Sequence, residues 1–161
     1  MFEVRLMKRS KYELIRLLKP STGEPIETFS FFNSSKTEAV VARADKSFQS
    51  FRKLSLYRRA QLLSQLAEAL RKNKTQLAKV ITTEMGKIIS EAEGEVEKCA
   101  REAEWYAENG PQMLADSPAA TGGVEAYVSY LPLGAILAIM PWNFPMWQLT
   151  RMALPTMLAG T

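Results

Sequence analysis

The stretch LGAILAIMPWNFPMWQLTRMAL, residues 133–154, decides how this chain is read. Its first eight residues, 133–140, are continuously apolar, as a strand buried on both faces should be. PWNFP, residues 141–145, is a tight proline-bounded loop, and a helical run follows from Met146 to Leu158. Strand, loop and helix in that order form the first half of a βαβ unit. A partner strand should follow at once, but the sequence stops at Gly160-Thr161, so the unit looks cut in the middle. Residues 126–150 carry no charge, and the Asn143 carboxamide, between Pro-Trp and Phe-Pro, sits where open α/β sheets bind ligands.

Working outward, the apolar piece is too short to cross a bilayer, which takes roughly 20 residues. Upstream, YELIRLL and PIETFSFF flank KPSTGE and predict a β-hairpin with a longer loop. Ser35 and Glu38 have capping-box spacing before a helix carrying Val40, Ala44, Phe48 and Phe51. A second helix begins at Ser55, with Leu56, Ala60, Leu63, Ala67 and Leu70 on one face. A third runs from near Asn73 to Gly86, a plausible helix-ending glycine. A fourth, from about Ile88, carries Ile89, Ala92, Val96, Cys99, Ala103 and Tyr106 and stops at Gly110-Pro111. After a loop, VEAYVSYLP alternates loosely as a strand does.

The 161 residues carry a net charge of +4. Residues 1–20 hold six basic and two acidic groups, and residues 21–161 hold 15 of each sign. A neutral body with a basic leader offers no basic face for nucleic acid. The leader lacks the apolar core of a secretory signal. One cysteine and no histidine exclude an internal disulfide, a zinc site of the usual ligands, and Ser-His-Asp or Cys-His catalysis. A reducing, cytoplasmic compartment is the expectation.

Cys99 reads as a core residue. Glu91, Glu93, Glu95, Glu97, Glu102, Glu104 and Glu108 alternate along the fourth helix and read as a solvated face. No glycine-rich phosphate loop is visible. Asn143 is therefore the candidate: its NH₂ can donate to a developing oxyanion. Phe144, Trp147 and Arg151 share one helical face, two aromatics and a guanidinium suited to a carboxylate. The residues alone equally allow an asparagine capping its own loop and an arginine lying at the surface.

Here the sequence resembles the aldehyde dehydrogenase superfamily. LPLGAILAIMPWNFPMWQLTRMALPTMLAGT looks like part of the family's core, and KPSTGE, RRAQLLSQLAEALRKNKTQLAKVITTEMGK and EAEGEVEKCA match its N-terminal region in order. EGEVEKCA and Arg151 suggest the succinate-semialdehyde dehydrogenase-like branch. The resemblance covers about residues 12–161 and leaves a leader, 1–11, outside. It implies an incomplete α/β fold: the hairpin and helical part of the cofactor domain over 12–123, an oligomerisation strand over 124–132, and the first strand, loop and helix of a Rossmann-like sheet over 133–161.

The implied reaction is NAD- or NADP-dependent oxidation of a small aldehyde to its acid, through a thiohemiacetal and a thioester. By resemblance Asn143 stabilises the oxyanion, and Met140, Pro141, Trp142 and Asn143 meet the nicotinamide side of the cofactor. Phe144, Trp147 and Arg151 line the aldehyde channel, with Arg151 on the acid end. The family's cysteine nucleophile, glutamate base and lysine-proline cofactor motif do not occur, and Cys99 matches a non-catalytic position. The chain is then expected to be inactive alone. The alternative is a non-catalytic module pairing with a full-length relative through 124–132. No metal, nucleic acid or membrane is implied, and strand 133–140 is expected to want neighbours.

Overall fold

The computed structural model describes residues 14–120, 122–123 and 125–161. The basic leader 1–11 lies outside the described residues, as does Val124, the first position of the expected oligomerisation strand. Strands β1 (Leu14–Leu18) and β2 (Pro25–Ser30) pair antiparallel, Leu14 opposite Ser30 and Ile15 opposite Phe29. The turn between them closes with Lys19 N–H on the Glu24 carbonyl at 2.8 Å. The predicted hairpin is present, and it stands largely exposed.

Helix α1 spans Ser34–Phe51. Its cap differs from the expected Ser35–Glu38 box: Asn33 Oδ1 accepts the Lys36 N–H at 2.8 Å. Asparagine is as good an N-cap as serine, and it sits where the extended backbone turns into the helix. Of the apolar residues predicted to face a core here, only Phe48 is buried.

The core lies in the next four helices, α2 (Leu56–Lys72), α3 (Lys74–Met85), α4 (Ile89–Met113) and α5 (Pro145–Ala159). Ser55 caps α2 by accepting the Arg58 N–H at 3.2 Å. The predicted stripe Ala60, Leu63, Ala67 and Leu70 is buried against Ala92, Val96, Cys99, Ala100 and Ala103 of α4. Leu154 and Leu158 of α5 complete the cluster. Each fully buried leucine contributes about 1.5–3 kcal/mol. Gly86 ends α3 at φ +78, a backbone position where a side chain would be strained.

Helix α4 does not stop at Gly110-Pro111; it runs on to Met113. Proline removes one hydrogen bond and strains the turn before it. The packing of α5 against this end outweighs that cost, and glycine makes the packing possible. A Cβ on Gly110 would overlap Leu158 Cδ2.

Two expected strands differ more. Of VEAYVSYLP only β4 (Tyr127–Val128) forms, paired with β3 (Ser117–Pro118) inside the segment read as a loop. Residues 133–140 form no strand. Leu133 and Ile139 are 89% and 86% exposed, the opposite of burial on both faces. A parallel strand is stabilised by neighbours on both edges and both faces; among the described residues no strand pairs with this segment. No described helix is long and apolar enough to cross a membrane.

Gly110→Ala is expected to lower stability by about 1–3 kcal/mol through overpacking against Leu158. Gly94→Ala, in the same helix but facing open space, should raise it by about 0.5–1 kcal/mol. Thermal unfolding followed by circular dichroism checks both, and equal effects would contradict the close helix approach.

Candidate functional site

The loop PWNFP leads directly into α5, and the way that helix starts defines the site. Phe144 is the N-cap residue and has no side-chain oxygen with which to cap. Pro145 takes the first helical position, where a missing N–H costs nothing. The next two N–H groups, of Met146 and Trp147, are orphaned in the usual way. Both donate to one oxygen, Glu95 Oε1 on α4, at 3.0 and 3.1 Å. Asn143 therefore does not cap its own helix.

Glu95 is not part of a solvated face, as the alternating glutamates suggested. Its side chain is 2% exposed, and its other oxygen pairs with Lys87 Nζ, whose side chain is 7% exposed. The Lys87 ammonium also lies 3.7 Å from the centroid of the Phe144 ring. Hydrogen bonds to a charged acceptor contribute roughly 1.5–3 kcal/mol. Removing one partner of a buried ion pair costs about 3–5 kcal/mol. One carboxylate thus joins α4, the segment before it, and the start of α5.

Phe144, at the N-cap, and Trp147 and Arg151, within α5, each have a charged neighbour on α4 or on the segment before it. Lys98 Nζ sits 3.5 Å from the Trp147 ring centroid, so each aromatic carries a cation on one face. Arg151 remains exposed, on the side of α5 that faces Glu102 of α4. Burial pushes the Glu102 carboxyl up, while the Thr150 hydroxyl and the charges of Lys98 and Arg151 pull it back. Ahead of the helix, Met140, Pro141, Trp142 and Asn143 are all exposed. Trp142, with Pro145 and Met146, borders a cavity of about 570 Å³ that is also lined by Leu17, Pro20 and Leu77.

These residues fit one part of a dinucleotide better than another. The exposed apolar run Met140–Trp142 offers surface to a flat ring. A helix N-terminus after a strand position would ordinarily offer N–H groups to a phosphate. Here those of Met146 and Trp147 are already taken by Glu95. The start of α5 is not a pyrophosphate site.

Cys99 is fully buried and burial pushes its thiol up, the reverse of an activated nucleophile. Elsewhere on α4, Glu97 and Glu104 reach α2. Arg71 Nε donates to Glu97 Oε1 at 3.0 Å, and its Nη2 to Glu104 Oε2 at 2.8 Å. Hydrogen bonds from Arg71 hold both carboxyls below the ordinary value.

The profile of the aldehyde dehydrogenase family matches residues 6–161, beginning inside the segment 1–11 expected to fall outside the pattern. The chain belongs to the aldehyde dehydrogenase family. Its similarity runs to the succinate-semialdehyde dehydrogenases. It is 42% identical over 149 residues to succinate-semialdehyde dehydrogenase [NADP(+)] 1 of Mycobacterium tuberculosis, covering 91% of this chain and 33% of that protein. The succinic semialdehyde dehydrogenase of Streptococcus pyogenes, solved in complex with NADP+, superposes with a TM-score of 0.83 at 34% identity over 90% of this chain and 32% of that one. The enzyme of the same name from Burkholderia pseudomallei gives 0.83 at 30% identity, over 91% and 31%. The chain thus spans about a third of the length of the relatives it matches. The partial α/β dehydrogenase fold is the one the resemblance implied.

The site also yields a pH prediction. Hydrogen bonds from Arg71 hold the folded Glu97 and Glu104 carboxyls below their ordinary value. They stabilise the fold above the ordinary carboxyl value, and that contribution disappears as pH falls through the folded values. The denaturation midpoint should fall on acidification below the ordinary carboxyl range, and Arg71→Met should make that fall shallower. The pair is partly exposed, so the change is modest. Urea midpoints across the acid range check it; an identical slope in parent and variant contradicts it.

Proposed function

We propose that residues 14–161 are the oxyanion-donor part of an NAD(P)-dependent dehydrogenase acting on a small acidic aldehyde, succinate semialdehyde being the leading candidate. The observation that carries this is the exposed Asn143, set on a loop whose helix is capped from α4 so that the carboxamide is left free of that task. In this reading the Asn143 NH₂ donates to the aldehyde oxygen as negative charge develops there, an interaction of about 3–4 kcal/mol. Met140, Pro141 and Trp142 meet the nicotinamide side of NAD or NADP, which would accept the hydride. Phe144 and Trp147 form the apolar wall next to the aldehyde carbon. Arg151 takes the carboxylate of the substrate, for which a guanidinium is suited. The relatives named for succinate semialdehyde and NADP(+) support the substrate and the cofactor. A single buried thiol supports a cytoplasmic setting.

These 161 residues hold one cysteine, and it is sealed in the core. Alone they should not turn over. With succinate semialdehyde and either cofactor, the purified chain and Asn143→Ala should both form no NAD(P)H above the blank. Turnover in the parent that is lost in Asn143→Ala would show a nucleophile that this reading denies.

A second reading has its own observation. Tyr127, Val128, Tyr130 and Leu131 are all exposed beside a two-residue strand pair. We propose that residues 124–132 are an oligomerisation strand for a homo-oligomer or for pairing with a full-length relative, in which role the chain could act without catalysis. Exposed apolar strand edges seek partners. No association with such a relative at micromolar concentration would dismiss it.

A further inference from the structure

Asn143 is useful as a donor only if its backbone is held, and its own loop does not supply the hold. Pro141 and Pro145 fix two φ angles of the loop and no more. Phe144, at the N-cap, contributes no capping oxygen. The contacts that fix this place come from far along the chain. Glu95 Oε1 accepts the Met146 and Trp147 N–H groups, and Glu95 Oε2 pairs with Lys87. The same ammonium rests over Phe144, the residue next to Asn143.

From these contacts we infer that Glu95, with Lys87, is a positioning residue for Asn143. The carboxylate pins the first turn of α5 to α4. The ammonium, held by that carboxylate, pins the ring of Phe144. Glu95 touches no reacting atom; it acts through the backbone of the loop. Both side chains are nearly closed to water. Screening of the pair by salt is therefore weak. The inference rests on reading Asn143 as the oxyanion donor, and it names what that donor's geometry depends on.

The test uses the ¹⁵N-labelled 161-residue chain with Glu95→Ala, Glu95→Gln and Lys87→Met. Amide exchange is read at Met146 and Trp147 relative to Ala103 in the middle of α4. The side-chain NH₂ resonances of Asn143 are recorded beside them. In Glu95→Ala, exchange at Met146 and Trp147 should rise roughly tenfold or more relative to Ala103. The Asn143 resonances should move toward those of an unstructured asparagine. Glu95→Gln keeps an oxygen for the two N–H groups, so it should retain most of the protection and hold Asn143 near its parent position. A merely stabilising glutamate would speed all three amides together and leave Asn143 unmoved below the melting temperature; that result overturns the inference. Should Glu95→Ala fail to fold, Lys87→Met decides: a shifted Asn143 supports the brace, and an unmoved one overturns it. Turnover does not enter this test. An Asn143 later found dispensable to the chemistry would strike the functional reading and leave the brace standing.

Discussion

The first turn of α5 is capped by a carboxylate that belongs to another helix, and the candidate site depends on that contact. Helix N-termini are usually capped by the residue just before them. Here that residue is Phe144, and Glu95 takes over from 51 residues upstream. A buried carboxylate needs compensation, and it has two N–H donors and a buried ammonium. Because the donors lie in the loop-to-helix junction, satisfying Glu95 also fixes where PWNFP stands. A polar requirement of the core becomes a geometric property of the surface.

Helix α4 can serve in this way because small residues line it. Ala92, Ala100, Ala103 and Gly110 let α2 and α5 approach closely, and Leu63, Leu154 and Leu158 fill the space between them. The helix also meets Arg71 of α2 through Glu97 and Glu104. Among the described residues this one helix touches α2, α3 and α5. The hairpin and α1 lean on this body much less, and they carry most of their apolar residues exposed.

The helices were legible because their information is local. Ser55, Gly86 and the stripes of α2 and α4 mark starts, stops and faces without reference to the rest of the chain. The hairpin was legible for the same reason, from Pro, Ser and Gly between two strand-like runs. Residues 133–140 were not, because a buried strand is defined by neighbours that local pattern cannot supply. The passage of α4 through Pro111 was hidden too, since it depends on Leu158 packing onto Gly110. Glu95 left one usable signal. It stands three residues after Ala92 and four before Cys99, inside the apolar stripe, where a solvated glutamate has no place. The site residues themselves came from the position and chemistry of Asn143 and from family resemblance; the lysines stacked on Phe144 and Trp147 left no trace in spacing.

Helix α5 is an integral part of the helical body, with Leu154 and Leu158 in the same buried cluster as Val96 and Ala100 of α4. Native-state hydrogen exchange of the unmodified chain tests this most directly, comparing Leu154 and Leu158 of α5 with Val96 and Ala100 of α4. Segments that open together exchange with the same free energy. The account predicts equal opening free energies for the two helices. Exchange of α5 near the rate of an unstructured peptide, with α4 still protected, would contradict it, because Glu95 would then have nothing fixed to hold.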